Sequence, residues 1–375
     1  MEKIEKKNPA ILYLVLCGLV FYSLAAVSTA TKSSPVSVLT YKQTVWVGIG
    51  FVAMMVISRM DYRIWAKKAF WLYGFGILAV CSVFVFGKKI NGALSWIDLG
   101  VLSIQPSELT KITTLIMLAR IYELHDGVFY RSEQLILVGG IIALPTLLVL
   151  IQPDLGMALV YLSLLGCFML VTRIPGWVHL ALVTAVLGLI LGLFSLYSFS
   201  EKLFYQVIRP HQFERLTSFL HPEDDPLESG YQYILAKKIV GSGQLGGMGI
   251  LQLLNSSHEK LPEQHTDFIF AVIAHQWGFA GASALLILYF LLFTQLVHWA
   301  MNTPDLFASF FISGMVTMWS FQIFVNIGMN IGLSPITGLT LPFISYGGSS
   351  FITNLMACGF LLSMHTPSPT RQLEK

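Results

Sequence analysis

Several ionisable residues of this chain stand inside or at the edges of apolar runs, where a charge is expensive and marks a functional candidate by default. Glu108 and Lys111 are three residues apart in Gln105-Pro106-Ser107-Glu108-Leu109-Thr110-Lys111, the spacing of an ion pair on one helix face. The pair fits either a cavity wall or a structural bridge, and Glu108 alone would also serve a helix start led by Pro106. Asp154, in Gln152-Pro153-Asp154, and Asp267, in His265-Thr266-Asp267, each precede an apolar run, so each reads as a helix cap or as a site carboxylate. Trp96 reads most simply as an interface aromatic. Gly347-Gly348-Ser349-Ser350 allows close helix contact, and its exposed amides, with Ser349 and Ser350, could also meet phosphate oxygens. Arg209 and Arg215 are solvated loop charges or anion clamps, Arg215 leaning to the former. His211, His258, His265 and His275 lack metal-ligand spacing, and the four cysteines sit in apolar runs without paired spacing.

The elements that must position these residues are membrane spans. The chain has 375 residues, 55% hydrophobic and 11% charged, against about 25% charged in a soluble domain. A net charge of +3 gives no footing for nucleic acid. Runs long enough to cross a bilayer fall near 11–30, 41–58, 69–87, 106–122, 134–152, 155–172, 177–199, 268–299, 308–331 and 342–364. The pattern predicts an all-α polytopic membrane protein of about ten transmembrane helices. The fifth and sixth runs form a tight pair of spans about Gln152-Pro153-Asp154 rather than one broken helix.

Lysines and arginines in the short loops set the orientation. With the N-terminus cytoplasmic, that side receives Lys3, Lys6, Lys7, Arg59, Arg63, Lys67, Lys68, Arg120, Arg131, Arg173, Arg371 and Lys375, and the other only Lys32, Lys42, Lys88 and Lys89. Both termini are then cytoplasmic, the first helix is retained, and the polar motifs gather on the extracytoplasmic face. The long segment 200–267 is an extracytoplasmic loop between helices seven and eight, carrying an interfacial helix over Tyr231–Val240. Its run Gly241-Ser242-Gly243-Gln244-Leu245-Gly246-Gly247 matches G-x-G-x-x-G, but no strand precedes it, so a dinucleotide site is excluded. The chain reads as a single transmembrane domain over 1–375.

Taken together, Trp96-Ile97-Asp98-Leu99-Gly100, Gln105 to Lys111, Gln152-Pro153-Asp154-Leu155-Gly156, His265 to Ala271 and Leu341-Pro342-Phe343-Ile344-Ser345-Tyr346-Gly347-Gly348-Ser349-Ser350 resemble the shape, elongation, division and sporulation (SEDS) family, from about residue 10 to 365. Asn326-Ile327-Gly328-Met329 before Gly332 to Gly338, and the stretch from His211-Gln212 through Phe219–Glu223 to Asp225-Pro226, are similar to its RodA-type elongation branch rather than its division branch. The resemblance implies a peptidoglycan glycosyltransferase of the bacterial cytoplasmic membrane that polymerises lipid II on the outer face. Implied partners are a class B penicillin-binding protein transpeptidase and other elongation-complex membrane proteins.

It assigns Asp267 the essential aspartate, and Trp96, Glu108, Lys111 and Asp154 other positions on which the family depends. Glycan extension needs a general base for the acceptor hydroxyl, assigned to Asp267, and positive charge for the departing diphosphate, which Lys111 and Arg209 are placed to supply. The chemistry is compatible with a divalent cation held by carboxylates. The chain departs from the family at Ser95, where arginine is common, at Met157, where a small hydroxyl residue is usual, and at His275-Gln276, where acids are usual. A lipid II flippase is the alternative reading of ten helices, broken spans and intramembrane charge.

Overall fold

The computed structural model describes residues 9–30, 38–90, 93–98, 100, 103–207, 210–225, 229–248 and 261–365. Ten long helices occupy the ten apolar runs: α1 (Ala10–Ala30), α2 (Val38–Arg59), α4 (Ala69–Phe86), α5 (Pro106–Leu124), α6 (Ser132–Ile151), α7 (Leu155–Val171), α8 (Gly176–Phe199), α12 (Ile269–Asn302), α13 (Leu306–Ile331) and α14 (Gly348–His365). Shorter helices intervene: α3 (Tyr62–Lys67), α9 (Glu201–Val207), α10 (Pro210–Leu220) and α11 (Ser229–Ser242). Among the described residues seven helices are long and apolar enough to cross a bilayer, and α7 is a shorter apolar helix.

The two long helices outside that count, α5 and α14, are the ones the bundle encloses. Most of their residues are buried, including Glu108, Lys111, Thr114, Thr353 and Asn354. A helix shielded by protein can carry polar groups that a lipid-facing one cannot, which lowers its hydropathy. At the other extreme, no described residue of α8 is buried. Glycine lets α14 close on α2: a side chain at Gly359 would press on the Met54 carbonyl, and one at Gly348 on the Trp46 ring.

Four features were not foreseen from the apolar pattern. The segment read as a plain loop before α5 is a three-stranded antiparallel sheet, β1 (Lys88–Ile90), β2 (Ala93–Asp98) and β3 (Ser103–Ile104), with Lys88 opposite Trp96 and Ile97 opposite Ile104. The tenth helix begins at Gly348 rather than near 342, because Pro342 to Gly347 form a turn. The expected interfacial helix is present as α11, but its Tyr233, Leu235 and Ala236 are buried with Phe268, Ala271, Met329 and Ile336 at one end of the bundle. Lastly, α12 is broken at Gly278 (φ 65°, ψ −163°).

The glycine-rich run after α11 fills that break. The Phe279 and Ala280 amides donate to the Gln244 and Leu245 carbonyls (2.8 and 3.1 Å), and the Met248 amide donates to the His275 carbonyl (3.0 Å). A Cβ at Gly243 or Gly247 would strike the Ala274 or Gln276 carbonyl. The glycines thus serve close backbone approach, with no nucleotide fold about them.

Candidate functional site

A cavity of about 650 Å³ opens at the end of the bundle that carries the sheet, the α6–α7 turn, α10, α11 and the α13–α14 loop. Trp96 on β2, Glu108 on α5, Asp154, Asp267 and Ser350 line it, joined by Gln105, Arg215, Glu263, His265, Tyr346 and the backbone-rich run from Ile336 to Thr340. Motifs spread over some 250 positions of sequence therefore converge on one face.

Asp154 fills both roles that sequence left open. Its Oδ1 accepts the Met157 amide (3.0 Å) and caps α7, while Oδ2 accepts the Gln105 side-chain amide (2.9 Å). Burial and the nearby Glu108 charge push its carboxyl up to about 6 against those hydrogen bonds and Arg215.

Asp267 does not cap α12. The helix begins after Phe268 without a side-chain cap there, and its Ala271 amide is taken by Asn330 Oδ1 (3.1 Å) from α13. The carboxylate is left to the cavity, beside Gly338, where an added Cβ would stand 3.5 Å from Oδ2. The residue is half-buried and faces the cavity. Desolvation first, then the Glu263 charge, raise its carboxyl to about 7, with Arg215 and the Thr266 hydroxyl opposing. A carboxyl near neutrality is matched to proton transfer at physiological pH.

Glu108 and Lys111 form the expected ion pair, with Nζ 2.6 Å from Oε2 and both side chains almost wholly buried. The contact is ionic in distance without hydrogen-bond alignment, and neither of these atoms has another partner among the described residues. Only Glu108 reaches the cavity. Lys111 lies behind it, so the cavity wall at this point is the carboxylate backed by its counter-charge. Charge for a diphosphate is therefore not supplied directly by Lys111.

The two serines also divide. Ser350 lines the cavity and shares a hydrogen bond with Thr340 (3.2 Å). Ser349 is absent from the lining: its hydroxyl donates to the Ser103 carbonyl (3.0 Å) and accepts the Gln105 amide (3.1 Å), fastening the sheet to α14. Arg209 lies outside the described residues.

Arg215, which sequence left open between a loop charge and an anion clamp with a lean to the former, lines the cavity from α10. Helical spacing of Phe213, Leu216, Phe219 and Leu220 was the available signal that Arg215 belongs to an amphipathic helix rather than a free loop. Of the departures from the family pattern, Ser95 and Met157 are buried and line the cavity. His275 and Gln276 do not; they sit at the α12 break, where Ser242 Oγ and His275 Nδ1 are 2.6 Å apart. Among the described residues no three His, Cys, Asp or Glu side chains form a metal-ligand set, so no step is assigned to a cation.

An all-α membrane bundle with a carboxylate-lined cavity at one end defines the class. The chain belongs to the FtsW/RodA/SpoVE family, described as cell cycle protein, which it matches over residues 7–369. It is similar to stage V sporulation protein E of Bacillus subtilis (35% identity, covering 94% of each chain) and to peptidoglycan glycosyltransferase RodA of Treponema pallidum (33%, covering 86% of this chain and 89% of that one). Among solved structures it resembles a chain of a peptidoglycan synthase complex that coordinates polymerization and crosslinking. That match has a TM-score of 0.75 and 32% identity, covering 96% of this chain and 97% of the other.

Proposed function

We propose that this protein is a peptidoglycan glycosyltransferase that polymerises lipid II for cell-wall elongation, with Asp267 as general base. The observation that carries the reading is Asp267 itself: an uncapping carboxylate aimed into the cavity, raised to about 7, in a chain whose relatives bear that enzyme name. In the proposed step an acceptor sugar hydroxyl attacks the anomeric carbon of the lipid-linked donor. Its proton passes to Asp267, the bond to the polyprenyl diphosphate breaks, and the diphosphate leaves with the electron pair. Arg215 is one of two cations, with Lys42, that line the cavity and suit the developing phosphate charge. Glu108, paired with Lys111 behind it, lines the α5 side of the cavity and is suited to hydrogen-bonding sugar hydroxyls. Trp96 offers an aromatic face to a sugar ring.

The cavity face is read as extracytoplasmic in the bacterial cytoplasmic membrane, both termini as cytoplasmic, and a class B penicillin-binding protein as the partner that cross-links the product. Support for the partner comes from the synthase complex whose chain this one resembles.

The rival reading is translocation of lipid II. Purified protein with its transpeptidase partner, given labelled lipid II in detergent, is expected to yield glycan polymer. In vesicles, lipid II movement across the bilayer without polymer in either preparation would instead establish a transporter.

A further inference from the structure

The backbone that carries Asp267 is held carbonyl by carbonyl. The His265 carbonyl accepts the Tyr346 amide (2.9 Å), and the Thr266 carbonyl accepts the Ser345 hydroxyl (2.6 Å). The Asp267 carbonyl accepts two side-chain amides from α13, Asn326 Nδ2 at 2.9 Å and Asn330 Nδ2 at 3.3 Å. Both asparagines have no exposed surface, and neither lines the cavity. Asn326 Nδ2 also donates to the Leu339 carbonyl (2.7 Å), beside Gly338, the residue that faces the Asp267 carboxylate. Asn330 Nδ2 donates in turn to the Asn326 carbonyl (2.8 Å). One side chain thus ties the Asp267 backbone to the loop across from its own carboxylate.

Asparagine is a poor choice for the interior of a buried helix unless its amide is used, because an unpaired polar group there is costly. Here both Nδ2 groups reach the Asp267 carbonyl and go on to the Leu339 and Asn326 carbonyls, and Asn330 Oδ1 takes the Ala271 amide, while Asn326 Oδ1 has no hydrogen-bond partner among the described residues. We propose that Asn326 and Asn330 are positioning residues for the reaction, acting through Asp267 by fixing the distance between its carboxylate and the Gly338–Thr340 wall. This rests on the reading of Asp267 as general base. Neither asparagine touches substrate; each sets where the base stands, and displacement of a reacting group by about 1 Å can cost about a hundredfold in rate.

The test compares wild type, Asn326→Leu, Asn330→Ala and Asp267→Asn in the polymerisation assay, each rate normalised to folded protein. Asn326→Leu should lower kcat by about 10- to 100-fold with KM changed less than about twofold, and Asn330→Ala should lower it less. The acid limb of kcat should move to lower pH in both, since a loosened Asp267 gains water and drifts back toward ordinary carboxylates. The groups facing it, Glu263, His265, Asp154 and Arg215, stay in place, so the limb shift reports on Asp267. Asn330→Ala carries the comparison alone if Asn326→Leu does not fold. A purely structural role would reduce folded yield while leaving kcat and the acid limb as in wild type, and that result overturns the proposal. Full activity in Asp267→Asn would instead overturn the general-base reading beneath it.

Discussion

Glu108 and Lys111 show how little a single charge means until its partner is counted. Each alone would be an unpaired buried charge in an interior helix; together, 2.6 Å apart, each is the other's counter-charge at the cavity wall. Lys111→Met should cost about 3–5 kcal/mol because it strands Glu108, whereas Glu108→Gln combined with Lys111→Met should cost clearly less. Thermal unfolding of the single and double variants measures the difference. Asp267 makes a related prediction with the opposite emphasis. Its carboxyl rises from 3.8 to about 7, so the folded state holds a proton there that the unfolded chain releases. Stability from this group is therefore greatest below about pH 4 and declines as pH rises through 7, while base catalysis grows over the upper part of that range. Asp267→Asn should unfold at higher temperature than wild type at pH 8 although it is inactive, and the gap should close toward pH 4. Removing the opposing cation by Arg215→Gln should move the acid limb of activity upward in pH. Of these residues the types and spacing announced Glu108, Lys111, Asp154 and Asp267, but not which would face the cavity. Lys111 and Ser349 turn away because their chemistry is consumed by neighbours, Glu108 in one case and Ser103 with Gln105 in the other, and no spacing rule carries that information.

At the scale of elements, apolar length located the ten long helices of the described residues, and failed where backbone rather than side chains decides. The break in α12 is invisible to hydropathy, since the run Ile269–Asn302 is apolar enough to span despite His275 and Gln276 beside Gly278. Its stabilising partner, Gly243 to Met248, is excluded as a dinucleotide loop from sequence, but only its hydrogen bonds with His275, Phe279 and Ala280 show what it does. Gly278→Ala must force a left-handed backbone on a residue with a Cβ and push that atom into the Gly247 amide. A loss of at least about 1–3 kcal/mol is expected, read as a lower melting temperature in detergent. The small sheet escaped for a different reason: β1 and β3 are only three and two residues long, and the six residues of β2 break alternation at Trp96-Ile97.

For the molecule as a whole, one end carries the chemistry and the other end little but charge. The α6–α7 turn, the sheet, the start of α12 and the α13–α14 loop all come to the cavity end, as their order along the spans required once ten crossings were counted. What sequence could not supply was convergence: the approach of Asn326, Ser345 and Gly338 to Asp267 depends on how helices far apart in the chain pack. The proposed orientation, which follows the charge bias, puts the cavity end outside. In a variant with its four cysteines replaced by alanine, Lys88→Cys at the cavity end should react with a membrane-impermeant maleimide on intact cells, and Glu133→Cys at the start of α6 should not. Labelling of Glu133→Cys alone would invert the topology. The central claim concerns the base at that end, and the most direct measurement is glycan polymer formed per folded molecule by wild type and Asp267→Asn on the same labelled lipid II with the same partner. Polymer is expected from wild type and at least about a hundredfold less from Asp267→Asn, with lipid II binding retained. Equal polymer from both would contradict that claim.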